Sequence, residues 1–193
     1  MRVHKLDLYA AHRSDYVAAG TPLLVTIGPA QYLSISGACA PAAPEFRAKI
    51  AALYNVAFTI KMAQKRAGRD YAVSKLEALW WGRPPETWRW RLLIRTPEFI
   101  DKTDLRAALA ALREKGNAGA FSEVRLERVQ EGRCIQMLHV GPYEEENRTL
   151  ETMRRHARSR QLRLCGRHHE IYLSDPRRVK PEKLRTILRM PVR

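Results

Sequence analysis

Cysteine is scarce in this chain. Cys39, Cys134 and Cys165 lie far apart, and no C-x-x-C is present. An odd, scattered set excludes a disulfide framework and a zinc ribbon. Buried reduced thiols are the simpler reading. Long apolar runs are also missing. None approaches the roughly 18 residues that a membrane helix needs, so no membrane partner is expected. Residues 1–20 carry charges and no signal-peptide core, which predicts a cytoplasmic protein. G-x-S-x-G, Walker A and G-x-G-x-x-G are absent as well, so no nucleophile elbow, phosphate loop or dinucleotide fingerprint is expected, and no cofactor. Acidic residues are in short supply: 20 against 35 basic ones, for a net charge of +15. Such a balance suits polyanions, and Arg154, Arg155, Arg158, Arg160, Arg163 and Arg167 cluster. No helix-turn-helix, zinc finger or RNA-binding motif accompanies them. Nucleic acid is therefore not expected as the primary partner, and nothing in the sequence fixes an oligomeric state.

What is present is ordinary globular material. The 193 residues are 45% hydrophobic, enough for one large domain or two small fused ones. The chain is organised around Gly166-Arg167-His168-His169-Glu170-Ile171-Tyr172-Leu173-Ser174-Asp175-Pro176. Alternation in a short strand puts His168, Glu170 and Tyr172 on one face and His169, Ile171 and Leu173 on the other. Glu is depleted in strands and costly to bury unpaired. A carboxylate between an imidazole and a phenol is a candidate for holding a cation or a reacting water. His168 and His169 point to opposite faces and cannot easily share an ion, so no metal is expected. An earlier stretch, Val73 to Gly82, carries Glu77 among apolar residues. Superposing Glu77 on Glu170 aligns Leu79 with Tyr172. This suggests a degenerate internal duplication whose halves face each other across a cleft.

Taken in order, residues 1–20 read as an extended arm. Leu23 to Ser36 reads as a strand interrupted at Gly28-Pro29. Glu45 to Arg66 is a helix, with Phe46, Ile50, Leu53, Ala57 and Ile60 at helical spacing and Gly68 past its end. Tyr54, Phe58 and Met62 form a second stripe, which either widens the buried face or looks into the cleft. Tyr71 to Trp81 and Thr87 to Thr96 are strands joined by a turn at Gly82-Arg83-Pro84-Pro85. A linking helix follows over 103–116, with Thr103 as its cap. Phe121 to Gln130 and Arg133 to Val140 are strands, and Glu144 to Gln161 is a helix whose leading glutamates suit its dipole. Leu184 to Met190 is the last strand. The expected fold class is α+β, with two β-α-β-β units over 21–97 and 121–193 and helices on one side.

Leu138-His139-Val140-Gly141-Pro142-Tyr143, with His168-His169-Glu170-Ile171-Tyr172-Leu173-Ser174-Asp175-Pro176 and Leu76-Glu77-Ala78-Leu79-Trp80-Trp81, resembles the GyrI-like small-molecule-binding proteins. It is most similar to their stand-alone branch, which lacks a DNA-binding domain. The resemblance runs from about Leu23 onward. It implies antiparallel SHS2-like units related by a pseudo-twofold, a ligand cleft between them, and a buried Glu that meets cationic or aromatic drugs. For part of that branch it implies hydrolysis of strained cyclopropane-containing DNA-alkylating toxins. The high positive charge departs from this, since it disfavours long-range attraction of cationic drugs.

These readings make Glu170 the candidate general base and Tyr172 a hydrogen-bond donor to a substrate oxygen that gains charge. Trp81, Trp88 and Trp90 are candidate walls for a hydrophobic, planar ligand. Tyr54, Phe58, Glu77, Tyr143 and His168 are further ligand-binding candidates. Core packing for the tryptophans, and an ion-paired carboxylate at Glu170, are the bland alternatives. Function divides between a detoxifying hydrolase, a non-catalytic module that sequesters a ligand, and a protein-interaction role such as gyrase modulation.

Overall fold

A computed structural model describes residues 5–83, 87–117 and 119–193. Pro84 and Pro85 of the expected turn lie outside them. The N-terminal arm is not extended. Asp7 accepts from the backbone N–H groups of Tyr9 and Ala10 and so caps a short helix, α1 (Leu8–Ala11). A 3₁₀ turn, Arg13–Tyr16, follows, and both Leu8 and Tyr16 are buried.

Ahead lie β1 (Leu23–Ile27), β2 (Ala30–Gly37), α2 (Pro44–Arg66), β3 (Leu76–Arg83), β4 (Thr87–Arg95) and α3 (Lys102–Glu114). Then come β5 (Arg125–Val129), β6 (Gly132–Val140), α4 (Glu146–Ser159), β7 (His168–Tyr172) and β8 (Arg185–Pro191). Several ends differ from expectation. Tyr71 forms only a bridge to Leu6, so β3 starts five residues later, at Leu76. Phe121 belongs to a 3₁₀ turn. Asp101, not Thr103, caps α3, because its carboxylate accepts from Thr103 and Asp104 while Asp104 reaches back to the cap.

The described strands form one antiparallel sheet in the order β1-β6-β8-β7-β3-β4-β2-β5. β1 and β2 sit near its two ends, yet only Gly28-Pro29 separates them. The sheet therefore curls until its ends meet, and the chain changes partner from β6 to β5 at that break. α2 packs Leu53, Val56 and Ile60 against Leu33, Ile35, Ala78, Trp90 and Leu92. α4 packs Met153 and Ala157 against Ile135, Met137 and Leu188. Ala78, Glu170 and Leu188 stand side by side across β3, β7 and β8, so both helices cover one face. Glu77 and Glu170, in contrast, do not face each other across a cleft. β3 and β7 are neighbours, and the register Ala78↔Glu170 turns Glu77 to the opposite face.

The core is close-fitted around Trp90, whose indole N–H donates to the Cys39 carbonyl at 3.0 Å. A Cβ on Gly37 would lie 2.2 Å from a ring carbon of Trp90. Gly37→Ala is therefore expected to destabilise the protein by about 1–3 kcal/mol through overpacking, read as a lower denaturant midpoint.

Candidate functional site

The site lies on the helix-covered face where β3 pairs with β7, between α2 and α4. β7 supplies His168, Glu170 and Tyr172, and β3 supplies Trp80 beside His168. The Tyr172 hydroxyl donates to Glu170 Oε2 at 2.6 Å, and the Trp80 indole N–H donates to the same hydroxyl at 3.3 Å. His168 Nδ1 stands 3.7 Å from Glu170 Oε1, the side chains being 18% and 12% exposed. Both side chains are thus largely buried.

Aromatic rings surround this chain of contacts. Trp80 meets Phe46 at 5.5 Å and Trp88 edge-on at 5.6 Å. Tyr143 meets Tyr172 edge-on at 5.8 Å. Tyr54 stacks on Phe58 at 6.1 Å and, like Tyr172, packs against the large core cluster. Phe58 is half exposed, on the outer side of that stack.

The H-x-G-P-Y segment has a local mechanical role. His139 is buried and hydrogen-bonds Thr149 of α4 at 2.9 Å and the Pro142 carbonyl at 3.1 Å. Gly141 takes φ +138°, in the region that favours glycine. Together they pin the turn against the start of α4. This aims Tyr143 and Glu146 at β7. Glu146 is buried in the first turn of α4. Ligand atoms of Glu146, His168 and Glu170 lie within 4.8 Å of one another, the one group among the described residues that could hold a metal ion.

The electrostatics follow from this packing. Burial raises the Glu170 carboxyl above its ordinary range, against the lowering effect of hydrogen bonds from Tyr172 and Glu146. Burial and the Glu170 charge push Glu146 up to about 9. Burial, with the His169 and Arg154 charges, brings His168 down to about 4, so its ring is neutral. Burial and the neighbouring carboxyls push the Tyr143 phenol up to about 12.

Several expected residues are not brought here. Trp81 points to the other face, where Arg167 lies over its ring at 4.0 Å. Trp90 is fully buried in the core. Glu77 sits behind the sheet, accepting from the Tyr16 hydroxyl at 3.2 Å and touching His169 at 3.0 Å. Trp80, Phe46 and Glu146 were the missed members. Trp80 shares β3's face with Ala78, and the pairing of Ala78 with Glu170 is what brings it to the site. Glu146 looked like one more dipole-matching glutamate. A shallow pocket elsewhere, between α2 and the Ala120–Glu123 turn, is lined by residues such as Ala48, Asn55, Leu112 and Phe121 and contains no titratable side chain.

Residues 101–193 match the GyrI-like small molecule binding domain. Among solved structures, the chain is 33% identical to a hydrolase from Listeria innocua, with a TM-score of 0.91, covering 98% of this chain and 100% of that one. It is equally similar, at 33% identity and TM-score 0.92 with the same coverage, to an uncharacterized conserved protein from Listeria innocua. The C-terminal domain of EcmrR shares the fold at 11% identity and a TM-score of 0.59, covering 90% of this chain and 97% of that one. No curated protein matches the sequence. Among the described residues no helix is long and apolar enough to cross a membrane.

Proposed function

The chain belongs to the GyrI-like small-molecule-binding family, and from that premise we propose that it binds a flat hydrophobic molecule against Trp80, Trp88 and Tyr143 and hydrolyses a strained, cyclopropane-type electrophile there. The observation that carries this reading is the Trp80–Tyr172–Glu170 hydrogen-bond chain, which ends on a buried carboxylate of raised basicity. The similarity to a Listeria innocua hydrolase over the whole chain supports it.

In the proposed step a water oxygen bonds to the activated ring carbon and its proton passes to Glu170. The strained carbon–carbon bond breaks, and its electron pair moves into the conjugated carbonyl, whose oxygen gains charge. Tyr172 has one phenolic proton, and it is committed to Glu170. Its role at the outset is to orient the base. Only after Glu170 is protonated does that phenol become free to turn toward the charged oxygen. A second reading keeps the same wall and carboxylate but no turnover: a cytoplasmic module that sequesters an aromatic cation against Glu170. We also infer an internal duplication. It is supported by matching spatial orders β2-β4-β3 and β6-β8-β7, each with a helix after its first strand.

The test is incubation of the purified protein with a spiro-cyclopropane dienone. The ring-opened alcohol is expected at a rate proportional to protein. Tight binding with no product would favour the sequestering reading. The wall assignment has its own check. Trp80→Leu is expected to weaken ligand binding by about tenfold or more, from lost aromatic contact, whereas Trp81→Leu leaves affinity unchanged. Calorimetric titration of both variants reads the difference.

A further inference from the structure

We propose that Glu146 is a positioning residue for Glu170: it carries the one proton that the two buried carboxyls share and donates it to the Glu170 carboxylate. The pairing stands on geometry, and its catalytic consequence rests on the reading of Glu170 as a base. Glu146 is 7% exposed. Its carboxyl and that of Glu170 fall within one 4.8 Å cluster. Two carboxyls that close and that dry do not both ionise near neutral pH, because each charge opposes the other in a medium that screens poorly.

The hydrogen-bond partners decide which member keeps the proton. Glu170 Oε2 accepts from the Tyr172 hydroxyl, which stabilises a charge there. Glu146 Oε1 is buried without any donor. A buried carboxylate lacking a donor is costly, whereas a neutral carboxyl brings its own O–H. The start of α4 would favour a negative charge on Glu146, but burial and the Glu170 charge outweigh it. The other titratable groups facing the pair agree with this. His168 on β7 is neutral, the Tyr143 phenol in the turn and the Tyr172 phenol on β7 hold their protons, and Glu144 ahead of α4 adds further negative charge. The Tyr172 donor therefore offsets charge on Glu170, whereas the buried Oε1 of Glu146 has no donor. With its proton, Glu146 steadies the Glu170 carboxylate in the orientation that meets a substrate water. Without it, Glu170 would face a second negative charge.

Carboxyl-selective infrared spectroscopy on protein with isotope-labelled Glu tests the pair with no substrate present. Wild type at neutral pH is expected to show one buried protonated-carboxyl band that titrates away near about 9. Glu146→Gln should lose the band. Glu170→Gln should keep a titrating band whose midpoint falls by more than about one unit, since the opposing charge is gone. A wild type with no such band, or a band that survives in Glu146→Gln, overturns the proposal. So does calorimetric binding of zinc or manganese ions that abolishes the band, because the cluster would then be a cation site. Turnover supplies the second arm. Glu146→Gln retains a donor and keeps the acidic limb of the rate–pH profile. Glu146→Ala removes the donor and moves that limb to higher pH. Coincident profiles for the two variants would contradict the positioning role. Wild type with the band but no turnover would sink the hydrolase reading and leave the pair standing.

Discussion

Glu170→Gln is expected to lower turnover of a cyclopropane-type electrophile by about 10²–10⁴-fold, the range typical of a lost general base. The substitution keeps the size of the side chain and an acceptor for the Tyr172 hydroxyl at 2.6 Å. It removes the basic oxygen that would take a proton from water. Affinity for a neutral planar ligand should survive, because Trp80, Trp88 and Tyr143 supply most of the apolar contact. A sequestering module behaves otherwise. It has no turnover to lose, and its affinity for an aromatic cation falls when Glu170 loses its charge. Steady-state rates and calorimetry on wild type and Glu170→Gln separate the two. Equal turnover by both proteins would rule out the base assignment.

The second large effect lies behind the sheet. His169 is fully buried, and its two ring nitrogens each stand 3.0 Å from a carboxylate, Glu77 on one side and Glu131 on the other. The imidazolium thus faces a carboxylate on each side. Arg189, also buried, bridges Glu131, the Gln136 amide and the Asp15 carbonyl. Arg95 pairs with Asp15 at 2.8 Å. These groups tie the N-terminal arm to the inside of the curl. His169→Gln would strand Glu77 beside a neutral amide and leave Glu131 with Arg189 alone. The expected cost is about 3–5 kcal/mol, as for breaking one partner out of a buried ionic pair, measured by denaturant unfolding.

The same network sets a pH dependence. Burial disfavours charge on His169, but Glu131 and Glu77 outweigh it and hold the imidazolium up to about 9. Its contribution, of order 3 kcal/mol, is complete below the ordinary value near 6.5 and is lost as pH rises through about 9. Glu131, held down to about 2 by His169 and Arg189 against burial, contributes above its ordinary value of 4.5 and loses that contribution as pH falls through about 2. Glu146 adds to the alkaline decline, because the fold keeps it neutral while the unfolded chain ionises it. Unfolding midpoints followed from pH 6 to 9 should fall in wild type and less steeply in His169→Gln.

Local pattern was enough for some of this and insufficient for the rest. The spacing of Phe46, Leu53, Ala57 and Ile60 writes α2 into the chain, and alternation correctly put Glu170 with Tyr172 and apart from His169. Both are properties of consecutive residues. The partner of β7 is not. Trp80 stands at the site because Ala78 pairs with Glu170 and Trp80 with His168, a register set between segments about ninety residues apart. Trp81, the expected wall, shares Glu77's face and so stands on the other side of the sheet. The arm misled for a similar reason. Tyr16 is weakly patterned among its neighbours, and its burial comes from distant Glu77 and Arg95. Glu146 was hidden by a plausible local role. Three successive glutamates suit a helix start, and only the fold singles out the one whose carboxyl meets Glu170.

The most direct test of the central claim is product analysis after single turnover in heavy-oxygen water. If Glu170 activates water, the ring-opened product carries one solvent oxygen and the recovered protein has its original mass. Product lacking solvent oxygen, or a protein that has gained the mass of the electrophile at Glu170, would contradict hydrolysis by an activated water.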